Sequence, residues 1–129
     1  MEFLNPKDVH APAGAYSHTA TVSAGTELVF ISGQVGMRVD GSIPATLADQ
    51  AEVVFDNLRA CLAAHGAAMT DVVKLTSYLV SGQDVQEMRA IRQRHFGEHR
   101  PVSTAVYVPA LVRPVFLLEV EAVAVKPTR

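Results

Sequence analysis

Apolar and polar positions alternate with two different periods along the chain. Leu47, Ala51, Val54, Leu58 and Leu62 step by four, three, four and four, which predicts an amphipathic helix from about Leu47 to His65. Thr46 is placed to cap its start and Gly66 to stop it. A second helix is predicted over Asp84 to Phe96, with Val85, Met88 and Ile91 inward and Arg89, Arg92 and Arg94 on a solvated basic face, and Gly97 closes it. Elsewhere the pattern is that of strands. Thr19 to Val22 and Glu27 to Ser32 flank Ala24-Gly25 and read as two strands around a tight turn. Leu28-Val29-Phe30-Ile31 is apolar on both faces, which predicts a central strand. Val72 to Val80 puts Lys74, Thr76 and Tyr78 on one face, and Val102 to Val108 alternates with Ser103, Ala105 and Tyr107. Val115 to Val125 reads as the longest strand, with Glu119 and Glu121 on one face and Phe116, Leu118, Val120, Ala122 and Ala124 on the other.

The predicted order is therefore β-β-α-β-α-β-β in a single domain, residues 1–129. Two helices cover one face of such a sheet, which makes the fold class α+β. The other face keeps Ile and Val among its polar groups, and a second copy of the chain is the expected cover. Composition narrows the function. A net charge of −2 argues against nucleic acid and anionic membranes, which call for a concentrated basic face. The lone Cys61 makes no internal disulfide, and no signal peptide or membrane-length apolar run is evident. A cytoplasmic protein is the expectation.

Glu121 is the residue most suggestive of chemistry. It lies in Val120-Glu121-Ala122-Val123-Ala124-Val125, where a carboxylate needs a partner. Either it faces solvent or an arginine, or it binds or turns over a ligand, since burial raises a carboxyl pKa toward the range a general acid or base requires. Ser32-Gly33-Gln34 ends an apolar strand and reads as a simple terminus or as a hydroxyl facing a pocket. Tyr16 is open in the same way, between packing and chemistry. His10, His18, His65, His95 and His99 lack metal-ligand spacing, and there is no phosphate-binding glycine loop or nucleophile elbow. Cys61, beside the apolar stripe of the first helix, reads as a packing residue.

Gly14-Ala15-Tyr16-Ser17, Phe30-Ile31-Ser32-Gly33-Gln34, Gln50-Ala51, Asn57-Leu58 and Glu119-Val120-Glu121-Ala122-Val123-Ala124-Val125 together resemble the RidA (YjgF) family of enamine/imine deaminases. The likeness runs from about Ala13 to Val125, with one extra residue near Arg113-Pro114-Val115. It implies a chorismate-mutase-like α+β fold with two helices on one face of a mixed sheet. It also implies a homotrimer with three clefts between subunits and a small-molecule substrate; neither cofactor nor metal is expected. Active members hydrolyse 2-aminoacrylate and related enamines or imines to 2-oxo acids and ammonia. Carried over, the water-positioning glutamate falls on Glu121, the cleft tyrosine on Tyr16 and the cleft serine on Ser32, with Gly33 beside it. Three positions depart from the pattern. Ser103 stands where the family has the arginine that grips the substrate carboxylate, and Ala105 where it has a cysteine; Arg89 replaces an asparagine of the second helix. A hydrogen bond to a charged group contributes about 1.5–3 kcal/mol, so the exchange at Ser103 implies altered substrate choice unless Arg89, Arg92 or Arg113 supplies the charge. The resemblance leaves two further readings: a trimer that binds a reactive intermediate without turning it over, and the endoribonuclease activity of some relatives, which the net charge disfavours.

Overall fold

In the computed structural model, which describes residues 1–128, the strands and helices are β1 (Glu2–Leu4), β2 (Thr19–Thr21), β3 (Leu28–Val35), α1 (Leu47–Ala63), β4 (Val72–Val80), α2 (Val85–Phe96), β5 (Val102–Val108) and β6 (Leu118–Val125), with a 3-10 turn at Met69–Asp71. The main sheet has the order β3-β6-β4-β5. β6 is antiparallel to both β3 and β4, while β4 and β5 are parallel and joined through α2, so the sheet is mixed. Both helices pack on one face. Val29, Ile31, Leu75, Leu79, Leu118, Val120 and Ala122 point into that layer and meet Val54, Phe55, Leu58, Leu62 and Met88 from the helices. Thr46 caps α1 by accepting from the Asp49 N–H at 3.2 Å, and Asp84 caps α2 by accepting from the Gln86 N–H at 2.9 Å.

The α+β class and the one-sided helix layer agree with the sequence pattern, but several details differ. The Ala24-Gly25 turn forms, with the Thr26 N–H reaching the Ser23 carbonyl, yet the strands on either side of it do not pair. β2 pairs with the amino-terminal β1 in a separate two-stranded sheet, fastened by Thr19 Oγ1 donating to the Leu4 carbonyl and by the His18 N–H donating to Asn5 Oδ1. β3 is an edge strand, not a central one. Its second apolar face, with Leu28 and with Phe30 at 74% exposure, looks away from the helices and is uncovered. β6 begins at Leu118 rather than Val115, and the nine-residue β4 is longer. The cause is Gln50, a fully buried amide of α1 that takes over the backbone groups which would extend β6: Nε2 donates to the Val115 carbonyl and Oε1 accepts from the Leu117 N–H. α1 ends at Ala63, two residues before His65.

The largest difference lies in α2. Arg92 does not share a solvated face with Arg94. It stands four residues after Met88 and four before Phe96, on one helical stripe, and all three are buried.

Candidate functional site

The carboxylates of β6 stand on the open sheet face, because alternation sends Val120 and Ala122 into the core and leaves Glu119 and Glu121 on the other side. Thr76 on β4 is the register partner of Glu121, and Tyr78 that of Glu119. Tyr78 reaches diagonally and donates its Oη–H to Glu121 Oε1 at 2.8 Å. That bond, helped by desolvation and the charges of Glu121 and Glu119, raises the Tyr78 phenol above its ordinary pKa. Glu121 is half-buried, not enclosed, and its partner is this phenol instead of an arginine. It borders a cavity of about 360 Å³ with Ser32, Phe30, Thr76 and Lys74. Gly33 is not part of this lining. A side chain there would land on the Glu119 carboxylate, so the glycine lets Glu119 lie across the β3 backbone, where the β3–β6 register shifts between Ile31 and Gln34.

A second cavity, about 250 Å³, lies at the opposite edge of the sheet, between β5 and α2. Tyr16, Ser103, Ala105, Arg89 and Arg92 line it. The segment carrying Tyr16 is stitched to the start of β5: the Ser17 N–H donates to the Pro101 carbonyl and Ser17 Oγ to the Arg100 carbonyl. Tyr16 Oη accepts from the Ala13 N–H at 3.2 Å, which leaves its own proton to donate. Arg113, the third candidate cation, is elsewhere; it lies over the Phe116 ring, 5.3 Å from its centroid.

The predicted residues thus fall into two groups. Glu121 and Ser32 share the open-face cavity, whereas Tyr16, Ser103, Ala105 and Arg89 share the β5–α2 cavity. One chain does not bring Tyr16 to Glu121. Tyr78, Lys74 and Glu119 are additions of the structure. The period-two pattern over Lys74, Thr76 and Tyr78 is the signal that places them on the face of the two glutamates. Chemically, a half-buried carboxylate held by a phenol can take and return a proton of a bound water. Among the described residues, no group of three or more His, Cys, Asp or Glu side chains is placed to hold a metal, and no helix is long and apolar enough to cross a membrane.

Two helices on one face of a four-stranded mixed sheet, with polar cavities at its open face and far edge, define a small α+β protein of the RidA (YjgF) fold. The chain belongs to the family described as endoribonuclease L-PSP, whose pattern matches residues 7–126. A RutC family protein of Pyrococcus horikoshii is 34% identical, covering 97% of this chain and 98% of its own. TdcF of Escherichia coli, which carries the name of a reactive intermediate deaminase, is 32% identical over 90% of this chain and 92% of its own. Among solved structures, the Rid-family protein YyfB of Yersinia pestis superposes with a TM-score of 0.83 at 27% identity, covering 96% of this chain and 97% of that one. Escherichia coli TdcF with bound serine gives 0.73 at 28% identity, covering 98% and 100%.

Proposed function

We propose that this protein hydrolyses a small enamine or imine to a carbonyl compound and ammonia, in a cleft that two copies of the chain build together. The observation that carries this reading is the Glu121 carboxylate, held by Tyr78 and facing a polar cavity on an uncovered sheet face. An enamine protonated at carbon becomes an imine. Water then adds to the carbon of the C=N bond while Glu121 takes one of its protons, and that proton passes to the nitrogen. The hydroxyl then gives up its proton, which Glu121 relays to the nitrogen as the C–N bond breaks, so that ammonia leaves and the hydroxyl carbon becomes the carbonyl. Ser32 and Thr76 offer hydroxyls to the tetrahedral adduct.

The two half-sites lie near opposite edges of the sheet, Glu121 on the open face and Arg92 on a helix of the covered face. A contact between unlike surfaces of successive copies joins one copy's Glu121 half to the next copy's Tyr16 half, and such head-to-tail contacts close into rings. A ring of three, as the resemblance implies, also covers Leu28 and Phe30. The name of TdcF and the serine bound to it fit a cleft for small amino-acid-derived ligands. The family's description points to RNA cleavage, but a net charge of −2 disfavours an RNA partner, and the two arginines of the β5–α2 cavity, Arg89 and Arg92, line a space of small-molecule size.

The test is ammonia release from freshly generated 2-aminoacrylate by the purified protein. Acceleration over buffer, with a loss of about 100-fold or more in Glu121→Gln at unchanged fold, is expected of a proton-transfer residue. A wild type no faster than buffer refutes the deaminase reading. Equal, accelerated rates for wild type and Glu121→Gln refute the role of Glu121, and sequestration without turnover is left only where neither protein is faster than buffer.

A further inference from the structure

In the β5–α2 cavity, Arg92 is 6% exposed. It makes no hydrogen bond or ion pair with any described residue, while lining a cavity large enough for a small molecule. The charges around it are those of Arg89 and Arg100, both of its own sign. Arg89 is half-buried and lines the same cavity from the preceding turn of α2. Arg100 is engaged elsewhere, donating from Nη1 to the Gly97 and His99 carbonyls. Burial, with Arg89 and Arg100 adding to it, draws the Arg92 guanidinium below its ordinary pKa, though it stays charged at neutral pH.

A buried cation without a counter-ion is costly, and proteins keep such groups where something anionic binds. The rest of the lining explains nothing of the charge: Tyr16, Ser103, Thr104 and Ala105 are neutral. It does suit a small acid, since a guanidinium presents a fork of donors matched to a carboxylate, and Tyr16 and Ser103 bring hydroxyl-bearing side chains to the same lining. We propose that this cavity is a carboxylate-binding site in which Arg92 of α2 is the gripping cation, Arg89 assists at the mouth, and the ligand is a small organic acid. The inference rests on the intersubunit cleft proposed above. It deepens that reading by assigning the ligand's anionic end to the helix side, so that the reacting carbon faces the neighbouring copy's Glu121.

The experiment is an NMR titration of the full-length protein with pyruvate and with its uncharged counterpart pyruvamide. Wild type, Arg92→Lys and Arg92→Met are compared, each checked for melting temperature and assembly mass. Arg92→Met is expected to weaken pyruvate binding roughly 10- to 100-fold, the range of a hydrogen-bonded charge pair, and to leave pyruvamide binding unchanged. Arg92→Lys keeps the charge without the fork and is expected to fall between them. Because Met removes an unpaired buried charge, its melting temperature is expected to equal or exceed that of wild type. The proposal is overturned if wild type does not prefer pyruvate to pyruvamide, or if pyruvate binds Arg92→Met as tightly as wild type. It is equally overturned if Arg92→Met changes the assembly mass while binding persists, because Arg92 then answers a carboxylate of another copy. Failure of the deaminase reading is seen separately: pyruvate held through Arg92 without ammonia release leaves this site standing, and ammonia release indifferent to Arg92 leaves that reading standing.

Discussion

Gln50→Leu removes one amide and keeps the volume of the side chain. Gln50 is 1% exposed and makes three hydrogen bonds: Nε2 donates to the Pro44 carbonyl at 2.9 Å and to the Val115 carbonyl at 2.8 Å, and Oε1 accepts from the Leu117 N–H at 2.9 Å. Leucine replaces none of them. The Leu117 N–H is left without its acceptor in a half-buried place, at about 1–3 kcal/mol. The two carbonyls lose a donor but keep access to other partners through their second lone pair, which adds about 1 kcal/mol. Apolar burial of leucine returns part of this, so the net expected loss is about 2–3 kcal/mol. Gly36 packs so closely on Gln50 that no Cβ fits there, so the neighbourhood has no room to rearrange around the leucine. Urea unfolding followed by circular dichroism reads the effect as a midpoint lowered by roughly 1–2 M at unchanged slope. A midpoint within about 0.2 M of wild type would refute the claim that this amide fastens the entrance to β6.

Three further outcomes are expected. Tyr78→Phe deletes only the donor to Glu121; it is expected to lower the turnover number more than it changes KM and to shift the pH profile of activity, whereas a merely packing tyrosine would leave that profile in place. Phe30→Asp puts a charge on the uncovered apolar face and is expected to turn the assembly into monomers by light scattering; an unchanged mass would show that this face is not a contact between copies. Glu52, between the helices, resists ionisation through burial, but hydrogen bonds from His95 and Arg94 outweigh this and hold its pKa below the ordinary glutamate value. Its contribution to stability is therefore present above about pH 4.3, the ordinary value, and fades as pH falls through the lower folded-state value. Since Glu52 is over a third exposed, Glu52→Gln is expected to cost under about 1 kcal/mol at pH 7 and to flatten the stability curve between pH 5 and pH 3; a curve unchanged in that range would contradict the assignment.

The helices and the face that β6 turns to the core were legible because both follow from periodicity along one chain. Pairing was not. The Ala24-Gly25 turn is where the sequence pattern puts it, but β1 competes for β2, and local turn chemistry carries no information about a distant partner. The two-sided apolarity of β3 pointed to a central position, yet the strand is at the edge with Leu28 and Phe30 uncovered, because apolarity on both faces does not say which neighbours a strand has. Arg92 was misplaced because its charge outweighed its spacing: counting by fours from Met88 through Arg92 to Phe96 puts it inside. Glu121, Ser32, Tyr16 and Ser103 were all visible as residues. Their division between two cavities was not, since it depends on which edge of the sheet each occupies. Gln50 and Asn57, both part of the family resemblance, are fasteners; Asn57 Nδ2 donates to the Val35 and Met37 carbonyls and holds the end of β3 against α1.

The shared cleft is open to a direct measurement of complementation. Glu121→Gln disables one half-site, and Ser103→Phe fills the cavity of the other; each alone is expected to lose ammonia release. When the two variants are unfolded together and reassembled at equal amounts, about a quarter of the interfaces should join an intact Glu121 half to an intact Ser103 half, given random head-to-tail mixing. Recovery of roughly that fraction of wild-type activity is the predicted result. A mixture no more active than its two components, beside an active wild type treated in the same way, would contradict the shared cleft.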